Sequence, residues 1–292
     1  MLICFLLAGC SRDIVVPQPD QLASGPVVEC ILEPTNNHTI AYSRVVGISE
    51  PFQPLSTANI QMKVGRNVSG LAINNSPGQF TLSNFPLNAR DTVEFTLVSP
   101  KDTLFVQEIM PSNIAFTKTD TLTQAVAGIG VTQVFTVQFQ DSAIDENYYR
   151  ITAKQQVREY TLGAGGRPID SITEWKIMKI DGNETPFVRN NFNNYTEQEI
   201  LFSDEIFNGV LASFRFYNLL PFKNSASEKT LSVVITLENI SFSLYQYYNT
   251  RAEHLWSQKS ITQLPGPVQS NVPNGYGVVG ASINANWVIV YP

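Results

Sequence analysis

Apolar and polar residues alternate with a period of two along much of this 292-residue chain. In residues 133–141, QVFTVQFQD, the apolar residues Phe135, Val137 and Phe139 are separated by single, mainly polar residues. Because successive side chains of a strand point to opposite faces, this alternation predicts β-strands. Patterns with the 3.6-residue period of a helix are scarce, so we expect a mainly β protein.

The first part of the chain has the spacing of a small β-sandwich. Runs rich in β-branched and aromatic residues are separated by turn-prone stretches such as PTNNH at 34–38 and NNSPG at 74–78. The predicted strands are Val27–Leu32, Thr39–Arg44, Asn59–Val64, Gln79–Leu82, Val93–Val98 and Thr103–Ile109. Short strands at this spacing predict an N-terminal immunoglobulin-like β-sandwich over residues 27–112, with a boundary near Met110–Asn113.

Residues 113–292 are predicted to form a larger β-rich domain with one amphipathic helix. Its predicted strands lie at 133–141, 147–162, 174–180, 210–219 and 229–240 and in the C-terminal stretch 275–292. The turn signal Asp181-Gly182-Asn183 closes the third of these strands. In the last stretch, Gly275, Gly277 and Gly280 allow a positive φ or a close approach of the backbone.

The helix is predicted within residues 241–258, SFSLYQYYNTRAEHLWSQ. Its apolar stripe consists of Leu244, Tyr245, Tyr248, Ala252, Leu255 and Trp256. Ser243 and Gln246 have the spacing of a capping box, which places the start of the helix at Ser243. Tyr247 falls off the stripe and is the best candidate for an exposed contact, although core packing is the more frequent use of such aromatic residues.

The run Leu2–Gly9 is apolar and ends at a cysteine. Eight helical residues span about 12 Å, far less than the roughly 30 Å hydrocarbon core, so the run fits a signal peptide and not a transmembrane helix. Leu7-Ala8-Gly9-Cys10 has the small residues that a bacterial lipoprotein signal peptidase requires. We therefore predict a signal peptide at 1–9, a lipidated Cys10 and a tether at 10–26. The alternative is an ordinary signal peptide with an incidental cysteine.

The cysteine content argues against a fold held by disulfides, and the net charge argues against nucleic-acid binding. Cys4 leaves with the predicted signal peptide and Cys10 carries the lipid, so only Cys30 stays in the folded part and no intramolecular disulfide is possible. Cys30 lies in the apolar stretch VVECILEP and is predicted to be a buried thiol. The formal net charge is -6 and Lys and Arg form no cluster, which disfavours nucleic-acid binding.

The sequence contains no recognisable catalytic motif. His38 and His254 are far apart and show no metal-ligand spacing with other residues. Asp145-Glu146 and Asp204-Glu205 are interpreted as solvated loop acids, because a glycosidase needs two carboxyl groups that converge in a cleft. GAGG at 163–166 lacks the lysine and helix of a phosphate-binding loop. We therefore predict no catalytic residue, no metal site, no cofactor and no enzymatic activity.

Four stretches carry a family resemblance: DENYYRI (145–151), LFSDEIFNG (201–209), TLENISFSLYQYYN (236–249) and GPVQSNVPNGYGVVGAS (266–282). Together with the lipobox, and in this order, they make the chain similar to a family of Bacteroidota outer-membrane lipoproteins known as domain of unknown function 4249. The resemblance covers essentially the whole chain. Val279 stands where relatives often have Phe, a difference that concerns packing.

The resemblance implies an exported lipoprotein whose relatives are often encoded beside TonB-dependent transporters. The expected function is thus that of a non-enzymatic accessory or binding subunit, attached to the outer membrane by its lipid. Its expected partner is a TonB-dependent transporter or another outer-membrane β-barrel, and the cell surface is favoured over the periplasmic face. Two alternatives stay open: a free-standing surface module or adhesin that binds glycan or peptide, and a hydrolase with an uncatalogued site.

Overall fold

A computed structural model of the chain describes residues 25–45, 53–65, 68–126, 128–181, 198–219, 225, 227–258 and 266–291. The described residues form eighteen strands and one helix, so the predicted mainly β fold class with a single helix is confirmed. The first half contains β1 (Pro26–Leu32), β2 (Asn37–Arg44), β3 (Gln53–Pro54), β4 (Asn59–Val64), β5 (Val68–Leu71), β6 (Ile73–Ser76), β7 (Gln79–Ser83), β8 (Thr92–Val98) and β9 (Thr103–Ile109). The second half contains β10 (Phe116–Val126), β11 (Gly130–Gln140), β12 (Tyr148–Leu162), β13 (Pro168–Ile177), β14 (Ile180–Asp181), β15 (Glu199–Ser203), β16 (Leu211–Asn218), β17 (Glu228–Ile240), α1 (Phe242–Ser257) and β18 (Tyr276–Val290).

The strands are arranged in three sheets. The largest has ten strands in the order β13-β12-β17-β18-β1-β2-β7-β6, and β15 and β3 pair with β12 and β2 at its sides. The other two sheets have four strands each, β5-β4-β8-β9 and β10-β11-β16-β14. Each four-stranded sheet packs on one half of the large sheet, and the two interfaces form two separate hydrophobic cores.

The last strand takes part in both halves. The segment Tyr276–Ala281 of β18 pairs in parallel with β1, and the segment Ser282–Val290 pairs antiparallel with β17. Three β18 side chains are buried in the first core: Val279, Ala281 and Ile283. Trp287 and Ile289 pack against the second core. The N-terminal sandwich therefore includes residues from the far end of the chain, and the predicted domain division after residue 112 stays a prediction.

The helix α1 lies on the opposite face of the large sheet from both cores. Val278 of β18 faces α1 and contacts a cluster that includes Leu244 and Tyr248, whereas its neighbour Val279 points into the first core. At Gly280 a Cβ atom would lie 2.8 Å from Cβ of Leu244. The absence of a side chain there allows α1 to approach the sheet closely.

The helix begins two residues earlier than predicted. Its N-cap residue is Ser241, whose carbonyl oxygen accepts a hydrogen bond from the N–H of Tyr245 at 2.9 Å. The Ser241 hydroxyl accepts the N–H of Ala281 at 3.0 Å. The predicted capping box of Ser243 and Gln246 is therefore wrong, because the chain turns into the helix as soon as β17 ends. Tyr247 is half-buried against the Leu244 cluster, so its predicted exposure is also wrong.

Three local predictions differ from the structure. His38, placed in a turn by the sequence, lies in β2 and is buried, with Nε2 2.8 Å from the carbonyl oxygen of Phe85. Residues 74–76 of the predicted turn belong to β6. The predicted strand 174–180 is split between two sheets. β13 ends at Ile177 in the large sheet, the chain crosses over at buried Met178, and β14 pairs with β16 in the facing sheet. Gly182 and Asn183 lie outside the described residues.

The cysteines divide between the described and undescribed parts. Cys30 is buried in the first core, as predicted, and burial raises the pKa of its thiol to about 12. The thiolate is the reactive form of cysteine, and both burial and the raised pKa disfavour it at Cys30. The predicted signal peptide and Cys10 lie outside the described residues.

Candidate functional site

A groove lies between α1 and the outward face of β12, β13 and β17. We term it the helix–sheet groove, and its volume is about 340 Å³, within the usual range of small-molecule sites. Its sheet side includes Arg150, Lys154 and Ile177, with Glu199 at the start of β15. Its helix side includes Tyr248, Arg251, Ala252 and Leu255.

The alternation of β12 explains why charged side chains meet in this groove. Tyr149, Ile151 and Ala153 point into the second core, so the intervening residues of β12 point toward α1. In the strand register, Arg150 lies opposite Glu238 of β17, and Thr152 lies opposite Glu199 of β15. Strand pairing thus brings together residues that are far apart in the sequence.

Arg150 is the centre of an ionic cluster at the floor of the groove. Its Nε donates to Oε2 of Glu199 at 2.6 Å, and its Nη1 donates to Oε2 of Glu238 at 3.0 Å. The Cζ atom lies 4.5 Å from the ring centroid of Tyr248, which is within the range of a cation–π contact. The Ser282 hydroxyl donates to Oε1 of Glu238 at 3.2 Å. Glu199, Glu238 and Tyr248 therefore contact the Arg150 guanidinium from three sides.

Burial and the neighbouring charges shift the pKa values of this cluster in opposite directions. Burial by itself would lower the pKa of Arg150, but the carboxylates of Glu238 and Glu199 outweigh it and raise that pKa. Burial raises the pKa of Glu238, and the adjacent Arg150 offsets only part of that shift. Burial raises the pKa of Tyr248 to about 12, so its hydroxyl is neutral at physiological pH.

The rim of the groove combines apolar and cationic side chains. The Nζ atom of Lys154 lies 5.1 Å from the ring centroid of Trp175, so the ammonium group is positioned over an aromatic face. Ile177 and Leu255 are 64% and 44% exposed on opposite walls. Among the described residues, neither Lys154 nor Arg251 takes part in an ion pair.

The strand β13 extends this apolar character along one edge of the large sheet. Four of its large apolar side chains are exposed: Ile169 by 71%, Ile172 by 67%, Trp175 by 49% and Ile177 by 64%. The register with β12 places Trp175 and Ile177 on the groove face and Ile172 on the other face. Both faces of this edge strand therefore present apolar surface.

A second cavity, of about 450 Å³, lies where the two sandwiches meet. We term it the intersandwich cleft. Asn239 donates from Nδ2 to the carbonyl oxygen of Ser112 at 3.1 Å, and Asn147 donates from its N–H to Oδ2 of Asp204 at 2.9 Å. The first bond joins the linker after β9 to β17, and the second joins the loop before β12 to the loop after β15. Glu108 lines the same cleft, and its burial raises the pKa of its carboxyl group.

Asp204 corrects one sequence interpretation. It was expected to be a solvated loop acid, but it is buried and accepts hydrogen bonds from both nitrogen atoms of Asn147. Asp145 remains half-exposed and pairs with Arg90 at 3.1 Å. In the described part of the chain, no group of three or more His, Cys, Asp and Glu side chains is arranged to hold a metal ion.

The comparison with family models gives one match. The model described as a domain of unknown function, DUF4249, matches residues 13–286. The chain belongs to the DUF4249 family. A search of curated proteins found no match to this DUF4249 protein. None of the helices in its described part is long and apolar enough to span a membrane.

The groove of this DUF4249 protein includes few of the residues that the sequence had suggested. Of the aromatic residues of the predicted helix, Tyr248 lines the groove. Tyr149 is buried in the second core and Tyr148 lines the intersandwich cleft. Arg150, Glu199 and Glu238 were not predicted. The available signal was that Arg150 and Glu238 are charged residues inside strongly alternating strands, on the face opposite the apolar residues.

Proposed function

We propose that this chain is a non-enzymatic binding subunit of an outer-membrane complex, attached to the membrane by acylated Cys10. The proposed partner is a TonB-dependent transporter or another outer-membrane β-barrel, and the proposed location is the cell surface. The observation that carries the proposal is the exposed apolar surface of the edge strand β13.

The edge strand β13 carries Pro168 and charged residues such as Lys176, but it also exposes large apolar side chains on both faces. Natural sheets protect their edges with charged residues, proline, bulges or covering segments, because an open edge can pair with another chain. In β13, large apolar side chains are exposed on both faces, and β12 is its only paired strand among the described residues. Exposed apolar patches of this kind mark interaction sites, which supports a partner that covers β13.

The predicted lipid anchor supplies the first test. Replacing Cys10 with Ser removes the thiol that would carry the acyl chains, and stable attachment needs more than one such chain. We expect most of the Cys10→Ser protein to move from the membrane fraction to the soluble fraction, as measured by immunoblotting after ultracentrifugation. Cys30→Ser is the matched control, because Cys30 is buried in the first core. Unchanged membrane retention of Cys10→Ser would disprove the anchor.

The proposed docking surface supplies the second test. In tagged full-length protein extracted with mild detergent, Ile169→Asp/Ile172→Asp should reduce the recovery of a copurifying β-barrel by about tenfold or more, because it would bury two unpaired carboxylates in an apolar contact. Ile144→Asp is the matched control, because Ile144 is also exposed but lies in a loop away from β13. Equal recovery of the β-barrel with the wild type, with Ile169→Asp/Ile172→Asp and with Ile144→Asp would exclude β13 as the docking surface.

The alternative is a free-standing surface module that binds glycan or peptide, or an adhesin. The observation in its favour is the exposed Trp175 beside the groove, because solvent-accessible aromatic rings are effective contact groups for ligands. This alternative predicts that the wild-type protein migrates alone in native gels of the same extracts. A β-barrel that comigrates with it would favour the subunit role.

A further inference from the structure

We propose that the helix–sheet groove binds a small organic anion that has an apolar body. This inference goes beyond the docking function of β13, because it concerns a soluble ligand and needs no partner protein. It is drawn from the charge of the groove, from its apolar walls and from its size.

The charge of the groove is opposite to that of the whole protein. Its lining includes three cationic side chains, Arg150, Lys154 and Arg251, and one carboxylate, Glu199; Glu238, which binds Arg150 at the floor, adds a second carboxylate and leaves the cations in excess by one. The chain as a whole has a formal net charge of -6. A cationic cavity on an acidic protein concentrates anions locally, because field lines focus in clefts.

The three cations are not equivalent. Arg150 is neutralised by Glu199 and Glu238, which hold its guanidinium at 2.6 and 3.0 Å. Lys154 and Arg251 have no carboxylate within 4.0 Å among the described residues, and they belong to opposite walls, β12 and α1. An anion between these walls would gain two charge-assisted contacts without breaking an ion pair that already exists.

The walls select an anion with an apolar part. Ile177 and Leu255 are largely exposed at the rim, and Ala252 and the neutral ring of Tyr248 lie further in. Covering these side chains removes apolar surface from water, which a hydrated inorganic ion cannot do. The volume of about 340 Å³ equals that of on the order of ten water molecules, which suits one ring system or a short aliphatic chain.

The test uses two fluorescent probes that differ in charge. The full chain carrying Cys10→Ser removes the predicted acylation site, so detergent can be left out. Titrations compare 8-anilinonaphthalene-1-sulfonate, an anion with an apolar body, with uncharged N-phenyl-1-naphthylamine. We expect Lys154→Gln/Arg251→Gln to weaken binding of the anionic probe about tenfold and that of the uncharged probe less than about twofold.

Two further variants separate the roles of charge and apolar surface. Ile177→Ser/Leu255→Ser should weaken binding of both probes, because it removes the apolar walls. Lys101→Gln/Lys118→Gln removes two exposed lysines outside the groove and should change neither affinity, although it lowers the net charge equally. Thermal midpoints close to that of the parent chain would show that all variants fold.

The outcomes separate this inference from the docking proposal. If Lys154→Gln/Arg251→Gln leaves the affinity for the anionic probe unchanged, or weakens both probes equally, the groove has no preference for anions and the inference is wrong. Neither titration involves a β-barrel or residues 169 and 172. If the copurification experiment fails to show docking at β13, the probe titrations still test the groove. If the titrations show no preference for anions, the docking proposal is unaffected.

Discussion

Replacing Gly277 with Ala should destabilise the protein by about 3–5 kcal/mol, the larger part of it from a backbone collision. Gly277 has φ +92° and lies opposite Val28 in the parallel pairing of β18 with β1. A Cβ atom at this position would lie 2.0 Å from the carbonyl oxygen of Val28, and that atom belongs to the backbone of a core strand. The two strands would have to separate, and this pairing joins the two halves of the ten-stranded sheet.

Gly165→Ala is the matched control for that collision. Gly165 has φ +89°, close to the value at Gly277, but a Cβ atom there would have no heavy atom within 4 Å. The free energy of unfolding of Gly165→Ala should fall by only about 1–2 kcal/mol, which is what the left-handed conformation costs a residue with a side chain. Urea unfolding measures both free energies. Equal losses in the two variants would mean that the β1–β18 contact tolerates a side chain.

Replacing Arg150 with Met should reduce the free energy of unfolding at pH 7 by about 2–4 kcal/mol. The change leaves Glu199 and Glu238 without their cation, and their side chains are only 15% and 14% exposed. Removing one partner of a buried ion pair is costly because the remaining charge is uncompensated. The estimate is below the full range for buried pairs because the Arg150 side chain is 24% exposed.

The loss caused by Arg150→Met should shrink as the pH falls. Burial already raises the pKa of Glu238 in the folded protein, and removal of Arg150 takes away the main influence that lowers it. A carboxyl group whose pKa is higher in the folded than in the unfolded state adds stability as the pH falls from the folded pKa toward the unfolded value, near 4.3. We therefore expect a smaller difference from the wild type at pH 5 than at pH 7.

Two variants check this interpretation of Arg150. Glu238→Gln should recover part of the loss when it is combined with Arg150→Met, because it removes one uncompensated charge. Lys63→Met breaks the exposed pair with Glu94, whose side chains are 43% and 37% exposed, and should cost less than about 1 kcal/mol. A loss from Arg150→Met no larger than that from Lys63→Met would contradict the role of the buried cluster.

Local pattern was sufficient to predict many of the strands. The bounds of β4 and β9 equal the predicted ones. Four further strands end at the predicted residue and begin one residue away from the predicted start: β1, β8, β12 and β17. In each of these, buried and less buried residues alternate along most of the strand, because one face covers a core. β10 was not predicted, because FTKTDTLTQAV is exposed along most of both faces and has no regular alternation.

The pairing of strands and the groove could not be predicted in the same way. Alternation indicates which residues share a face, but it does not indicate which strand lies beside which. Glu199 and Glu238 are 49 and 88 residues away from Arg150 in the sequence, and they meet it only through the registers of β15 and β17. The parallel pairing of β1 with β18 is likewise a property of the complete fold.

The shared strand β18 has a consequence for the order of events during synthesis. A ribosome releases Val279, Ala281 and Ile283 about 250 residues after β1, yet these side chains fill the core beneath β1. Pairing between strands so far apart in the sequence is a non-local contact, and such contacts are expected to slow folding. A nascent chain that stops before residue 276 lacks the strand that both cores need, and its open apolar surfaces would be substrates for chaperones and proteases.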